Sequence, residues 1–212
     1  MIAREFDARY NLSHPNILMI NDFEEVPGIG QAIITDDVYG ESLRKLIDRH
    51  AVTDHHIRQL AERLPQALQY IQENHVAHHP LRPETIIFTE HIGNLKLIDV
   101  GFEQREQLTP RDTAHDIIAV GRIMLEALDA ADRDYPRLRR VAERAAGRSR
   151  GHKPPRDIPA LQLALRDRNH DRFYLAIIAF MAIMIGLLLW FNSALAPETV
   201  TLHATEQAET TK

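Results

Sequence analysis

The chain has 212 residues, enough for one domain of ordinary size and an appendage. Its 44% apolar and 26% charged content is that of a globular protein, which excludes disordered and fibrous classes. It contains no cysteine, which excludes disulfides and thiolate chemistry, and its net charge of −5 argues against a dedicated nucleic-acid binder, which needs basic residues in net excess.

The N-terminus, MIAREFDARY, is charged from the start and carries no apolar core, so it is not a secretory signal. A short helix is expected over roughly Ile2 to Leu12, followed by the turn SHPN. Two strand-like stretches come next, ILMINDFEEV and GQAIITDDV. Pro27-Gly28-Ile29-Gly30 joins them as a hairpin connection. GESLRKLIDRH predicts a short helix, and Thr53 can cap a longer one reaching about Asn74. In that helix Ile57, Leu60, Leu64, Leu68 and Ile71 share one face, and Pro65 is expected to kink it.

Next comes HVAHHPLRPETIIF, His75 to Phe88, with three histidines within five positions. A metal site built from His75, His78 and His79 would need the three to converge tetrahedrally. ETIIF and NLKLIDV read as two short strands around the turn HIGN. A helix over about Thr113 to Leu128 places Ile117, Val120, Met124 and Leu128 on one face. Two further helical segments, YPRLRRVAERAA and IPALQLALRDR, flank the loop GRSRGHKPPRD. The pattern is α+β: a small strand-rich start and a larger helical body.

Residues Phe173 to Phe191 form a run of 19 uncharged, mostly apolar residues. As a helix it would extend roughly 28 Å, about one hydrocarbon core. Tyr174 and Trp190 suit the two interfaces, so the run predicts a transmembrane helix. Arg166, Arg168 and Arg172 precede it, and after it the only Lys or Arg is Lys212. By the distribution of positive charge the N-terminal domain is expected in the cytoplasm, and the Thr-rich tail, 192–212, outside and unfolded.

In this order the elements resemble the protein kinase family. SHPNIL is similar to the turn between the αC helix and the fourth strand, with Glu5 where the family keeps its αC glutamate. GQAIITDDVYGESL resembles the fifth strand, hinge and following helix, and HVAHHPLRPETIIF resembles the catalytic loop H-R-D-L-K-P-E-N with its strand. KLIDVGF resembles the D-F-G segment, and Asp116 to Gly121 the D-x-x-x-x-G of the αF helix. The resemblance covers nearly all of residues 1–165. It implies a kinase-like fold lacking the first three strands, a basic juxtamembrane linker at 166–172 and the membrane helix at 173–191.

The same alignment implies that the chemistry is gone. His78 falls on the family's histidine, His79 on its arginine, Arg82 on its lysine and Thr85 on its metal-binding asparagine. Pro80 falls on the aspartate whose carboxylate accepts the substrate hydroxyl proton, a task a proline ring cannot perform. The glycine-rich loop and the nucleotide-holding lysine belong to the strands not seen here, which leaves Glu5 without its ion-pair partner. Only fourteen residues separate Gly101 from Asp116, without A-P-E. Asp99, beside Gly101, matches the Mg²⁺ ligand, though it could equally pin its own turn. Asp116 and His78 are implied to be architectural residues beneath the loop, and Arg82 and Glu84 to form a polar pair.

The reading that follows is a bacterial, single-pass inner-membrane pseudokinase that regulates or scaffolds signalling. It needs no cofactor, holds ATP and Mg²⁺ weakly if at all, binds no nucleic acid and works through a protein partner or self-association. The alternative is an active membrane-bound Ser/Thr kinase with an atypical loop. Without the first three strands the edge Gln31–Ile33–Thr35 would be open, an invitation to another chain. Arg137 to Arg156 carries eight Lys or Arg against the single acid Glu143, which raises contact with anionic headgroups or, equally, a solvated helix face.

Overall fold

A computed structural model describes residues 6–7, 9–10, 12–78, 80–90, 93–98, 102–104, 108–166 and 168–194. They fall into two units, 1–166 and 167–212. In the first, β1 (Ile20–Val26) and β2 (Gly30–Thr35) form a two-stranded antiparallel sheet. A second sheet has the order β3 (Gly40–Ser42), β5 (Ile86–Thr89), β6 (Leu95–Leu97), all antiparallel. A third pairs β4 (Val76–His78) with β7 (Phe102–Gln104). Around them lie the helices α1 (Leu43–Asp48), α2 (Asp54–Glu73), α3 (Pro110–Asp129), α4 (Pro136–Ala145) and α5 (Ile158–Leu165).

The body is organised by α2 and α3. Ile57, Leu60, Leu64, Leu68 and Ile71 of α2 are all fully buried, as their spacing predicts. Each contributes roughly 1.5–3 kcal/mol by leaving water. Thr53 caps α2 in a reciprocal box in which its hydroxyl accepts from the His56 amide and His56 Nδ1 accepts from the Thr53 amide. Glutamate or glutamine ordinarily fills that third position, so an imidazole here must be neutral at Nδ1 to serve. Burial, and then the neighbouring His55, lower the His56 pKa. Thr109 and Asp112 build the same box at the start of α3, where Pro110 occupies the first turn. Pro65 is accommodated inside α2, which runs on to Glu73.

Two close backbone approaches fix the packing. A Cβ on Gly121 would stand 2.4 Å from the Ala146 amide nitrogen, so α3 meets the end of α4 at a spacing only glycine permits. At Gly40 a Cβ would lie 2.2 Å from the Phe88 carbonyl oxygen, where β3 runs alongside β5. That contact corrects the expectation of a helix from residue 40. Gly40–Ser42 is strand, and the helix waits for the Ser42 cap. The pairing of β4 with β7 lies where the sequence suggested only irregular chain.

The SHPN turn is the hinge pin between the hairpin and the body. Buried Asn16 donates from Nδ2 to the Leu95 carbonyl at 2.8 Å, and the Leu97 amide donates to the Asn16 carbonyl at 2.9 Å. His14 Nδ1 accepts from the Asn16 amide at 3.1 Å while its ring rests 5.1 Å from that of Tyr70. Burial, and after it the charges of Lys96 and Arg63, lower the His14 pKa. Beyond this anchor, β2 pairs only with β1 among the described strands.

The second unit contributes α6 (Arg168–Ala194), 27 residues long, about 40 Å at 1.5 Å per residue. It starts inside the segment expected to be a linker. From Ile177 to Phe191 its large apolar side chains are exposed. Among the described residues no helix is long and apolar enough to cross a membrane. The span expected over 173–191 therefore rests on the sequence.

Candidate functional site

The histidine-rich loop leaves β4 and returns through a single 3-10 turn, Pro83–Thr85, into β5. His78 ends β4, with its backbone paired to Phe102. Pro80 is exposed and lines a cavity of about 110 Å³ with Val76, Leu81, Asp112, His115 and Asp116. His79, Asp99, Gly101 and Glu5 lie outside the described residues.

The part of the loop after Pro80 is held by its own polar groups. Arg82 is extended (φ −135°), and its carbonyl accepts both the Thr85 amide at 3.0 Å and the Thr85 hydroxyl at 2.9 Å. Thr85 is buried, and its own carbonyl accepts from the Ile98 amide at 3.0 Å, tying the loop to the end of β6. Its side chain therefore serves the turn.

Glu84 corrects a sequence expectation. It accepts from Arg44 Nε at 2.9 Å, whereas Arg82 adds only a distant field. The same guanidinium reaches Glu126 at 2.9 Å and Asp48 at 3.8 Å, so it links α1, the loop and α3. The Glu84 carboxyl is held below its ordinary range by its own backbone amide first and by Arg44 second. These partners lie 40 and 82 positions apart in the chain, beyond what local spacing can reveal. Deeper in, Gln72 Nε2 donates to Asp116 Oδ2 at 2.6 Å, which fastens the floor of the cavity to α2.

A Mg²⁺-nucleotide requires several convergent hard oxygens and a phosphate cradle. Thr85 spends its hydroxyl on Arg82, Asp112 accepts from the Thr109 amide and hydroxyl, and Asp116 accepts from Gln72. Among the described residues no group of three His, Asp or Glu side chains could hold a metal ion.

Comparison with known proteins bears on the same frame. The protein kinase domain model matches residues 1–121. Serine/threonine-protein kinase 36 of Pongo abelii is 30% identical over 102 residues, which cover 48% of this chain and 8% of that protein. The CBL-interacting serine/threonine-protein kinase 7 of Arabidopsis thaliana is 31% identical over 101 residues, 47% of this chain and 23% of the relative. The chain thus spans less than a quarter of these curated relatives. The solved structure titled PpkA-294 apo form superimposes with a TM-score of 0.62 at 19% identity, over 78% of this chain and 73% of that one. That likeness covers a larger share of the chain than the family match does, and it shows the fold alone. With its family match over more than half its length, this chain belongs to the protein kinase domain family.

Proposed function

We propose that the chain is a membrane-anchored pseudokinase that works by binding, as a scaffold or regulator in signalling, with residues 173–191 spanning the inner membrane and the kinase-like domain on the cytoplasmic side. The observation that carries this reading is Pro80. It stands at the position matching the family's catalytic aspartate, and its exposed ring offers no acceptor to a substrate hydroxyl. The inward Thr85 hydroxyl supports the same conclusion, because the second metal ligand is then missing as well. The span is supported by the 19-residue uncharged run, the arginines before it and the unbroken helix α6.

A binding role gains support from the hairpin. β2 is an uncharged strand, Gly30–Thr35, with Ile34 exposed and no described strand on its outer edge. Lysine, proline or a bulge would ordinarily blunt such an edge. In this reading Gln31, Ile33 and Thr35 lie on the strand that receives a partner or a second copy.

One observation favours an active Ser/Thr kinase instead: His115 shares the cavity with Pro80 and could supply a substitute acceptor. The test is phosphotransfer from labelled ATP with Mg²⁺ by the full chain in detergent, read beside a thermal shift with the same nucleotide. The pseudokinase predicts no label above the blank and no shift. Label that survives in Asp99→Ala would be contamination. Label lost in both Asp99→Ala and His115→Gln would establish the enzyme and end the binding-only reading.

A further inference from the structure

We propose that the turn between α4 and α5, carrying Arg148, Arg150 and Lys153, docks on anionic lipid headgroups of the membrane that α6 enters. The inference rests on reading 173–191 as a span. It begins from the uneven use of the basic residues between 137 and 156. Arg137 donates to the carbonyls of Ala164 and Arg166, clamping the start of α4 to the end of α5. Arg139 pairs with Asp129 at 2.7 Å, Arg140 donates to the Pro136 carbonyl at 3.2 Å, and Arg156 pairs with Asp157 at 3.0 Å. Arg144 turns inward, where its Nε is buried.

Arg148, Arg150 and Lys153 remain. All three are exposed, and no described side chain or carbonyl accepts from their charged groups. Three cations within six residues, without a countercharge, are out of keeping with a chain of net charge −5. The backbone fixes the start of the turn: the Gly147 and Arg148 amides donate to the Arg144 and Glu143 carbonyls at 3.2 and 2.8 Å, closing the end of α4.

The clamp explains why lipid is the fitting occupant. Arg137 ties α4 to Arg166, and six residues of chain, spanning at most about 25 Å, separate Arg166 from Phe173. The basic turn lies at the other end of α4 from that clamp, about 15 Å away for ten helical residues, on the same helix pair from which the chain leaves. Each basic residue close to an anionic surface favours contact by about fivefold, so three give about a hundredfold. That is too little to recruit a free domain, yet enough to orient one whose tether sets a high effective concentration.

The absence of cysteine makes the test direct. Ser149→Cys, between Arg148 and Arg150, gives the full chain a single labelling site for a fluorophore. The labelled protein is reconstituted in nanodiscs of phosphatidylcholine, with or without phosphatidylglycerol, each bearing a headgroup quencher. Quenching at least about fivefold greater in the anionic discs is expected. High salt, or R148E/R150E/K153E in the same background, should abolish the difference while the protein still co-elutes with the discs. Equal quenching in both discs overturns the proposal, and polyphosphate shifting the dye signal there would assign the turn to a soluble polyanion. A chain that enters neither disc breaks the span reading and, with it, the tether this docking requires.

Discussion

The hairpin β1–β2 and the helical body are built on different terms. The body buries whole side-chain faces, from Ile57 to Ile71 on α2 and from Ile117 to Leu128 on α3, behind reciprocal caps. The hairpin has one fully buried strand residue, Ile20, a half-buried Phe23 stacked 5.3 Å from Phe6, and exposed Ile29 and Ile34. Stability is concentrated in the body, which leaves the hairpin free to carry unsatisfied surface. The contrast also means that substitutions at the loop need not unfold the domain, since Pro80 is exposed and takes no part in the α2–α3 core.

The contrast can be broken by mutation. Leu64→Ala should cost about 2–5 kcal/mol, because it opens a cavity at a position with no exposure, while Phe23→Ala in the hairpin should cost about 1 kcal/mol or less. Chemical denaturation of the full chain in mild detergent measures both, and equal losses would dissolve the distinction. Gly121→Ala should destabilise by roughly 1–3 kcal/mol, since the new methyl meets the backbone of α4 with no flexible side chain to yield. A neutral result would mean that the helices part easily and that the body is less tightly locked than described.

The smallest effect sharpens the comparison through pH. His14 and His56 both have pKa values lowered from 6.5, so each binds its proton more readily when unfolded. In the window below 6.5 and above the folded values, the unfolded state carries more protons, and stability rises with pH. The contribution is complete above 6.5 and lost as pH falls through that window. His56→Gln, which keeps an acceptor in the capping box, should flatten the slope. A slope unchanged in His56→Gln and likewise in His14→Gln would show that other groups set it.

The long elements were legible because their causes are local. Thr53 stands at the head of a patterned apolar run, and α2 forms within a residue of the expected bounds, while α3 begins at Pro110, three residues before the expected Thr113, behind a Thr109 cap the spacing did not indicate. The short strands β5 and β6 were legible as ETIIF and NLKLIDV, but β3, β4 and β7 were not, because Gly40–Ser42 becomes strand only through contact with β5, and β4 finds β7 some 25 residues away. At the site, the frame of the loop was readable from its motif order. Its polar wiring was not, since Glu84 lies two residues from Arg82 yet takes Arg44 as its partner.

The inward hydroxyl of Thr85 has a consequence for the history of such a chain. Restoring an aspartate at position 80 would return an acceptor without returning a metal ligand, and changing Thr85 would first dismantle the turn that Arg82 and Thr85 make together. On the binding-only reading proposed above, neither change suffices without the other. On that reading such a sequence is ratcheted: chance reversion by single steps gains nothing, and drift is steered towards uses that need only its shape.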